Sequence, residues 1–505
     1  MGTGHDSSRV VLPGFGDLFG LIVRMILFLC FVAAFVWVST DSIVVFATIY
    51  YRRLNGLREQ LKKICAQKWN HHPKPCRVLD INPSQISVVI GTLYCEMELK
   101  PNVLEDLARE HHLGPALGPR KWVSEDKDKI MLEDESGRVR LVGIDRSRIY
   151  FSIIIGVLGR ETSKGDFQVL EILYPGVPPQ PSPLSTGEQG LVAIVSGLDL
   201  NSNSTKSEHR VDVLLEWLNG NIGAKDHQEL ARKVGRLIVA GNLTKITHTQ
   251  NQDHTLKESS IKSNKRTVYS ESSSTTTTTT EKADDFLTEL KIPIDLMPGN
   301  QDPTIQSLPQ QPLHTCLFPK SSSKPDRQLV MGPNPWWAQI GGSTFLGTSG
   351  QNSDDIFRYV GHEDRLRIAG DMLRWSHIAP TAPDTLHHDP FILTCLPHVY
   401  FIGNQPDFRT ELIDFESTPQ QEQPTRTRVI LVPKFSKSGT VVLVDPVSLE
   451  TQQILLLPTS SKNLNHSIND DGEGGEEDED DDDDEEVVLP EKIVLDIHAG
   501  DEDDD

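Results

Sequence analysis

The sequence has few cysteines, and they show no pairing pattern. Six cysteines are spread over 505 residues, and no Cys-x-x-Cys pair occurs. This spacing predicts neither a structural zinc site nor a disulfide scaffold. Apolar residues are also scarce, at 37% of the chain, but they suffice for at least one large core, which excludes a wholly disordered or fibrous protein. At roughly 100–200 residues per domain, the length favours two to four domains.

The chain also lacks a general excess of basic residues. Its net charge of −23 comes mainly from the C-terminus, where residues 470–505 contain 21 acidic residues and one basic residue, Lys492. The other 469 residues carry 51 acidic and 48 basic residues. Such a nearly neutral body does not favour nucleic-acid binding by charge alone. We expect residues 466–505 to form a disordered, solvated acidic tail. It contains one apolar stretch, Val487–Ile497, for which docking on a folded surface is the alternative to a solvated state.

One long apolar run is present near the N-terminus. Leu21–Val38 holds eighteen residues with a single charge, Arg24, and about 18 apolar residues can span a membrane as a helix. Basic residues from Arg52 onwards follow the run, so the positive-inside rule keeps the C-terminal body in the cytosol if the run does span. Composition leaves open whether residues 1–44 contain a transmembrane segment.

The next part of the chain changes from a helical pattern to a strand pattern. Phe46–Trp69 has apolar residues at helical spacing with basic residues between them, which predicts an amphipathic packing helix within the segment 45–75. Strand patterns follow, among them a hairpin at Lys129–Gly143 with an Asp-Glu-Ser-Gly turn. About five strands in about ninety residues predict a small barrel of the OB type over residues 76–180. We expect its aromatic residues to pack in the barrel and its interfaces rather than to stack on nucleotide bases; they are Tyr94, Trp122, Tyr150 and Phe151.

A Pro-rich linker at residues 176–189 separates the barrel from a second domain, 188–465. In this domain short buried strands end in Gly or Asn loops, and helical stretches at Val211–Leu218 and Leu230–Gly235 lie between them. The pattern predicts an α/β layered domain whose loops gather at one end of the strands. A polar, Thr-rich insert at 251–281 is predicted to be disordered. The predicted strands are Gly190–Gly197, Leu237–Gly241, Ile294–Gly299, His398–Gly403 and Val429–Pro433.

The order of these strand–loop junctions resembles that of the calcineurin-like metallophosphoesterases. Active members of that family need a D-x-H loop, a G-D-x-x-D loop, a G-N-H-[DE] loop, a lone His and a G-H-x-H loop. Carboxylates and imidazoles from these loops hold two divalent ions ~3.5–4 Å apart, which activate water and bind the phosphoryl oxygens. Every ligand needs a lone pair on oxygen or nitrogen, and the bridging ligands need charge.

The corresponding positions of this chain lack most of those ligands. Glycine and proline offer no side-chain ligand, and Lys245 would bring positive charge to a cation site. Only Asn300 and His377 remain as direct ligands, and two neutral groups cannot hold two divalent ions. We therefore predict an inactivated phosphoesterase-like αβ sandwich with no metal, no cofactor and no catalytic residue, in an α+β chain that also contains the OB-fold barrel. In chain order, the vestigial ligand positions are Gly197, Asp199, Asn242, Lys245, Asn300, Gln301, Asp302, His377, Asn404 and Pro406.

An OB barrel followed by a phosphoesterase domain without its ligands resembles the B-subunits of eukaryotic replicative DNA polymerases. Longer motifs are similar to those of the small, second subunits of DNA polymerase delta, and the likeness covers about residues 46–458. These motifs are long and ungapped, so chance is a poor explanation. They are VVIGTLY (88–94), LEDESGRVRL (132–141), MPGNQDPT (297–304), LPQQPLH (308–314), FLGTSGQNSDDIFRY (345–359), HIAPTAPDTL (377–386) and PHVYFIGN (397–404).

This resemblance implies a regulatory subunit of the DNA polymerase delta complex, which acts in DNA replication and repair in the nucleus and has no polymerase or nuclease activity of its own. It implies two direct partners, the C-terminal metal-cluster region of the catalytic subunit and the extended third subunit. The sliding clamp and DNA would be reached indirectly, through the complex. Family members are soluble, so the resemblance favours sequence added by a misassigned gene start or a retained intron at residues 1–44, with a membrane anchor as the alternative.

Two other functions remain open from the residues alone. The first is an active metal-dependent phosphoesterase, which the residues Asn242, Asn404 and Pro406 argue against. The second is a membrane-tethered OB-fold protein that binds nucleic acid, which would combine the apolar run with the barrel. The near-neutral charge of the body argues against that second function.

Overall fold

The computed structural model describes a barrel and a two-sheet sandwich. The apolar run Leu21–Val38 and the acidic tail 466–505 both lie outside the described residues. Among the described helices, none combines the length and the apolar character needed to cross a membrane. The described residues are 50–83, 85–100, 121–124, 127–144, 151–183, 190–200, 205–245, 268–324, 329–362, 364–382, 389–415 and 425–456.

Five strands close into the barrel: β1 (Ile86–Glu96), β2 (Lys129–Glu133), β3 (Arg138–Val142), β4 (Ile154–Glu161) and β5 (Phe167–Leu173). Their order around the barrel is β1-β2-β3-β5-β4. The predicted hairpin is present as β2 and β3. In its turn, the Asp134 carboxylate accepts hydrogen bonds from the backbone N–H groups of Ser136 (2.7 Å) and Gly137 (3.0 Å). The closed five-stranded barrel agrees with the OB type predicted from the strand pattern.

One outer face of the barrel is covered by a helix over residues 50–68, here called α1. Within β1, Val89 and Leu93 belong to the barrel interior, while Val88 and Ile90 pack against α1 on the outside. Burial of one such aliphatic side chain stabilises the fold by about 1.5–3 kcal/mol. The helix therefore serves as the packing element that its sequence pattern predicts. Its buried apolar residues are Leu54, Leu57, Leu61, Cys65 and, just after it, Trp69.

The sandwich consists of two mixed sheets, in which parallel pairs (β6-β7-β8-β9 and β11-β12-β14) are flanked by antiparallel strands. The first has six strands in the order β16-β15-β6-β7-β8-β9, and the second has five strands in the order β10-β11-β12-β14-β13. The strand bounds are β6 (Leu191–Val195), β7 (Val234–Ala240), β8 (Ile294–Met297), β9 (Leu329–Met331), β10 (Trp336–Ile340), β11 (Ser343–Thr348), β12 (Val399–Gln405), β13 (Arg409–Phe415), β14 (Thr425–Pro433), β15 (Thr440–Val444) and β16 (Thr451–Leu455).

Helices cover the outer faces of both sheets. The longer ones carry apolar residues on the side that faces a sheet, and the short ones lie in the connections. Their bounds are α2 (Thr205–Leu218), α3 (Lys225–Arg232), α4 (Val268–Glu289), α5 (Pro319–Ser322), α6 (Gln351–Phe357), α7 (Arg365–Arg374) and α8 (Phe435–Ser438), with short 3-10 helices at Val78–Asp80 and Thr315–Leu317.

Three apolar cores give the domain its layers. The two sheets pack face to face through residues such as Ile238 and Phe401. The outer face of the six-stranded sheet packs on α2 and α4, where Trp217 is fully buried. The outer face of the five-stranded sheet packs on α6 and α7, and this core continues without a break into the barrel interior, so that Tyr400 and Phe167 belong to one cluster. Barrel and sandwich are therefore joined by shared apolar packing.

Two sequence predictions differ from the structure. The insert 251–281 is predicted to be disordered, but α4 begins at Val268 and occupies its second part; residues 251–267 lie outside the described residues. The helix forms because Phe286 and Leu287, further along it, pack into the core under the six-stranded sheet, and this tertiary burial outweighs the weak helical propensity of threonine. The helical stretch predicted to end at residue 235 ends at Arg232 instead.

Candidate functional site at the strand ends

The loops that follow β6, β7 and β12 meet at one edge of the sandwich. The backbone N–H of Gly197, after β6, donates to the carbonyl of Gly241, after β7, at 2.9 Å. The backbone N–H of Asn404, near the end of β12, donates to the hydroxyl of Ser196 at 2.8 Å. These bonds bring three of the vestigial ligand positions together, namely Gly197, Asn242 and Asn404. The gathering of loops predicted from the strand pattern is therefore present.

All three residues have left-handed backbone conformations. Their φ angles are +61° for Gly197, +55° for Asn242 and +56° for Asn404. Glycine adopts this region freely, and asparagine tolerates it better than most residues do. A Cβ atom at position 197 would lie 2.7 Å from the Asn404 amide oxygen and 3.0 Å from Cγ of Lys434. The loop packing therefore leaves no room at position 197 for the aspartate of an active phosphoesterase.

Asn242 and Asn404 bind each other, and we call this pair the amide clasp. The Nδ2 of Asn242 donates to Oδ1 of Asn404 at 3.0 Å. The other ends of the two amides bind backbone groups, because the N–H of Gln301 donates to Oδ1 of Asn242 at 3.1 Å and Nδ2 of Asn404 donates to the carbonyl of Ser349 at 2.9 Å. An amide carries both donors and acceptors, so the two side chains satisfy their hydrogen bonds with each other and with the backbone, without an ion. The clasp links the loops after β7, β8, β11 and β12.

Asp302 binds the same loops through hydrogen bonds to both of its carboxylate oxygens. It is 5% exposed. Its Oδ2 accepts from the backbone N–H groups of Asn242 and Gly299, each at 2.8 Å, and its Oδ1 accepts from the N–H of Thr244 at 2.8 Å and its hydroxyl at 2.9 Å. Burial raises the pKa of Asp302 to about 6, and the four hydrogen bonds act in the opposite direction. Both carboxylate oxygens are thus committed to donors of the chain itself.

The other predicted positions lie around the clasp and take no part in it. Oδ2 of Asp199 accepts from the hydroxyl of Ser436 at 2.8 Å. Lys245, Asn300 and Pro406 are exposed. None of these four residues is hydrogen-bonded to the clasp amides in the described part of the chain.

His377, predicted as the lone histidine ligand, lies in a different place. It is 2% exposed, and its Nε2 is 2.9 Å from Oδ2 of Asp389. The same carboxylate oxygen accepts from Nε of Arg53, on helix α1, at 2.6 Å. We call these three residues the buried ion cluster. Within the described residues, His377 has no hydrogen bond to the clasp amides, and its side-chain partners are Asp389 and the backbone of Ala379.

Hydrogen bonding fixes the protonation of this cluster. The backbone N–H of Ala379 donates to Nδ1 of His377 at 3.3 Å, so Nδ1 carries no proton and Nε2–H donates to Asp389. Burial, with a further contribution from the charge of Arg53, lowers the pKa of His377 to about 4. Burial of Asp389 opposes its ionisation, but the hydrogen bond from His377 and the charge of Arg53 hold its pKa well below its usual range. The cluster is therefore an arginine–aspartate ion pair supported by a neutral histidine.

Sequence reasoning missed a buried polar hub beside the clasp. Nδ2 of Asn334 lies 2.8 Å from Oε1 of Gln310 and 2.6 Å from the hydroxyl of Ser349. Nε2 of Gln310 donates to the carbonyls of Gly299, at 3.0 Å, and Ile305, at 2.8 Å. Gln310 and Asn334 are fully buried. The available signal was an amide residue next to a proline in an otherwise apolar stretch, as in Asn334-Pro335.

The aromatic residues of the barrel pack against the sandwich. The rings of Phe151 and Tyr359 stack at a centroid distance of 4.8 Å, and Trp122 meets Tyr359 edge-on at 5.0 Å. Tyr94 lies 5.7 Å from Phe151. This agrees with the packing role expected of them; Tyr150 lies outside the described residues.

The two divalent ions that a phosphoesterase fold implies do not fit these residues. The clasp places neutral amides that bind each other where charged ligands are needed. Both oxygens of Asp302 accept hydrogen bonds from the loops, and Gly197 has no side chain. Within the described residues, no three His, Cys, Asp or Glu side chains form a group that could hold a metal ion. The geometry can hold these loops together.

Comparison with known families gives two matches that follow one another along the chain. Residues 46–172 match the model of the DNA polymerase delta subunit OB-fold domain. Residues 192–410 match the model of the B-subunit of DNA polymerases alpha and epsilon. The first match covers α1 and the barrel, and the second covers most of the sandwich, including the clasp.

Whole-length relatives agree with these matches. The chain is 34% identical over 414 residues to the DNA polymerase delta small subunit of Oryza sativa subsp. japonica, which covers 80% of this chain and 91% of that protein. It is 34% identical to the protein of the same name from Arabidopsis thaliana, over 80% of this chain and 89% of that protein. It is also 34% identical to the one from Saccharomyces cerevisiae, over 80% and 88%. The chain therefore belongs to the family of DNA polymerase delta small subunits, within the B-subunits of replicative DNA polymerases.

Proposed function

We propose that this chain is a non-catalytic accessory subunit of the DNA polymerase delta holoenzyme and that it serves as a scaffold in DNA replication and repair in the nucleus. It would bridge the C-terminal metal-cluster region of the catalytic subunit and the third subunit, which contacts the sliding clamp. Family membership supports the assignment to the complex. The amide clasp carries the non-catalytic part, because Asn242 and Asn404 satisfy each other where a hydrolase needs charged ligands.

The shared core of barrel and sandwich suits this role. Phe167 in the barrel and Tyr400 in the five-stranded sheet belong to one buried cluster, so the two units present their surfaces in a fixed relation. Stable protein interfaces bury about 1,200–2,000 Å². A rigid body of two joined domains can offer two such surfaces at once, which is what bridging requires.

Co-purification tests the scaffold. We expect the full chain, co-expressed with both partners, to elute as a stoichiometric complex with the catalytic subunit and the third subunit. Removal of the C-terminal metal-cluster region from the catalytic subunit should release that subunit and leave the pair with the third subunit intact. A full chain that stays monomeric beside the intact catalytic subunit would contradict the proposal.

Hydrolysis of bis-p-nitrophenyl phosphate with Mn²⁺ tests the non-catalytic part separately. We expect the purified chain to show only the background rate, unchanged in the variants Asn404→Ala and His377→Ala. Turnover that follows the protein through purification and is abolished by Asn404→Ala would establish a phosphoesterase instead. That outcome would leave the co-purification result unaffected.

A further inference from the structure

An open groove of about 790 Å³ lies where α1, the end of β5 and the five-stranded sheet meet. The prolines that follow β5, beginning with Pro175, form one side of it. Its floor is apolar, and apart from the buried Leu173 and Leu393 its aliphatic and aromatic residues are only half-buried, so a segment of chain could cover them. The floor residues are Ile64, Ile172, Leu173, Tyr174, Val177, Leu393 and Phe415.

The rim of the groove is basic. Lys63 and Lys68, both on α1, are exposed and line it. Neither forms an ion pair within the described part of the chain. Arg374 lines the opposite side, where it pairs with Asp371 at 3.1 Å and lies 5.8 Å from the centre of the Phe415 ring. An apolar floor with lysines on its rim is suited to an apolar segment with acidic flanks.

The chain contains a segment of that chemistry at its C-terminal end. Val487–Ile497 is mostly apolar, and residues 476–486, directly before it, are all acidic. Removal of apolar residues from water lowers the free energy, so this stretch is stabilised if an apolar surface covers it. Lys63 and Lys68 provide positive charge on the edge of an apolar groove.

The tail starts close enough to reach the groove. Strands β13 and β16 lie side by side at one edge of the sandwich, where the hydroxyls of Thr410 and Thr451 are 3.4 Å apart. Phe415 on the groove floor and Leu456, the last described residue, are each about 17 Å along a strand from that contact, so they are on the order of 40 Å apart at most. The intervening residues 457–486 would span roughly 30 Å as a flexible chain, and more because like charges extend it.

We propose that Val487–Ile497 docks in this groove of the same chain, with its acidic flank against Lys63 and Lys68. Tethering places the segment at an effective concentration of the order of mM, so that even weak contacts keep it bound much of the time. The docked segment would cover apolar surface of the free subunit and would have to leave before another protein could use that surface. The inference rests on the groove and the tail, and it is independent of the role in the polymerase.

Lysine reactivity in the full chain tests the docking. The variant carries Ile493→Asp and Leu495→Asp, which remove apolar contacts in the tail and leave the folded body unchanged. We expect acetylation of Lys63 and Lys68 by an amine-reactive ester to be several-fold faster in this variant than in the wild type. Lys62 is the internal control, because it lies on the same helix but pairs with Glu59 at 2.8 Å and does not line the groove.

Zero-length carbodiimide cross-linking identifies the occupant. In the wild type we expect bonds from Lys63 or Lys68 to carboxylates at 485–496, within single chains when labelled and unlabelled protein are mixed. The variant Lys63→Glu/Lys68→Glu should lose them, and Lys62→Glu should keep them.

Three outcomes would overturn the proposal. Equal acetylation rates in wild type and tail variant, both as fast as that of Lys62, would show an open groove. Equal but slow rates would show that something other than the tail covers it. Cross-links only between labelled and unlabelled chains would assign the groove to a second copy.

Discussion

At Gly197, both the left-handed backbone conformation and the close packing exclude a side chain. Its φ of +61° favours glycine, and an added Cβ would come within 2.7 Å of the Asn404 amide oxygen. The Asn404 side chain is in turn held by Asn242 and by the carbonyl of Ser349. A single substitution therefore cannot restore a metal ligand at this position without breaking the clasp.

We expect Gly197→Asp to lower the free energy of unfolding by about 2–5 kcal/mol. Left-handed strain contributes about 1–2 kcal/mol, and crowding against Asn404, with loss of a buried hydrogen bond, contributes about 1–3 kcal/mol. Gly220→Asp is the matched control, because Gly220 has a φ of +75° but nothing within 4 Å of its Cβ position. Urea denaturation of both variants separates the two contributions. Equal losses in both would show that the clasp imposes no steric demand.

The Asn404 amide donates a hydrogen bond from the clasp to the backbone. In Asn404→Asp, a carboxylate oxygen would face the Ser349 carbonyl, which now accepts from Nδ2 at 2.9 Å. We expect a loss of about 1–3 kcal/mol in the free energy of unfolding at pH 7. The loss should shrink below about pH 4, because a protonated acid can again donate.

Asn300→Asp is the control for this prediction, since Asn300 is exposed beside the same site. It should change stability little at any pH between 4 and 7. A loss in Asn404→Asp that does not depend on pH would argue against the assigned direction of the hydrogen bond.

Helix α1 carries a buried charge, which links it to the sandwich. Arg53 is 4% exposed and pairs with Asp389 at 2.6 Å, which ties the helix to the sandwich as well as to the barrel. Removal of one partner of a buried pair leaves an uncompensated charge and costs about 3–5 kcal/mol. Arg58 lies on the same helix and pairs with Glu135 near the surface, where such pairs contribute about 0–1 kcal/mol.

We therefore expect Arg53→Ala to destabilise the full chain by several-fold more free energy than Arg58→Ala. Hydrogen exchange of α1 should rise in Arg53→Ala well before the strands β12 and β14 open. Chemical denaturation measures the loss, and exchange mass spectrometry locates it. Similar small losses in both variants would mean that apolar packing alone holds α1.

The same cluster predicts a dependence of stability on pH. The pKa of His377 is lowered to about 4 in the folded protein, against about 6.5 in an unfolded chain. Between these values the unfolded state binds more protons, so stability is full above pH 6.5 and falls by roughly 3 kcal/mol as the pH drops to 4. His377→Gln should remove this component of the pH profile, and His314→Gln, at an exposed residue, should not. Identical profiles for wild type and His377→Gln would contradict the neutral histidine.

The sequence predicts elements whose pattern is local and misses those defined by distant contacts. The apolar alternation of β1 and the turn residues of the hairpin at Asp134 identify the barrel without further information. The sequence does not predict strand β10, because both of its tryptophans are apolar although only Trp336 is buried, so no alternation is visible. Its neighbour β11 is buried on both faces, and it also shows no alternation. Chain order assigns His377 to the strand-end site, whereas its partners Arg53 and Asp389 are set by the docking of α1.

The apolar core that the barrel and the sandwich share couples the unfolding of the two units. Val157 and Phe167 in the barrel lie in the same apolar cluster as Tyr400 and Leu431 in the sandwich. A domain that opens separately would have to expose that shared surface, which costs about 25 cal/mol for each Å² of apolar area. Barrel and sandwich should therefore unfold together.

We expect Val157→Ala, inside the barrel, to lower the protection of β12 amides against hydrogen exchange by the same free energy as that of β4 amides. In a cooperative unit the slowest amides exchange only through global unfolding, so a local substitution reduces the protection of all of them equally. Leu170→Ala is the control, because Leu170 is also in the barrel but is 53% exposed and should change neither strand. A loss of protection confined to β1–β5 would show that the barrel opens by itself, and the shared cluster would then be an interface between two independently folding domains.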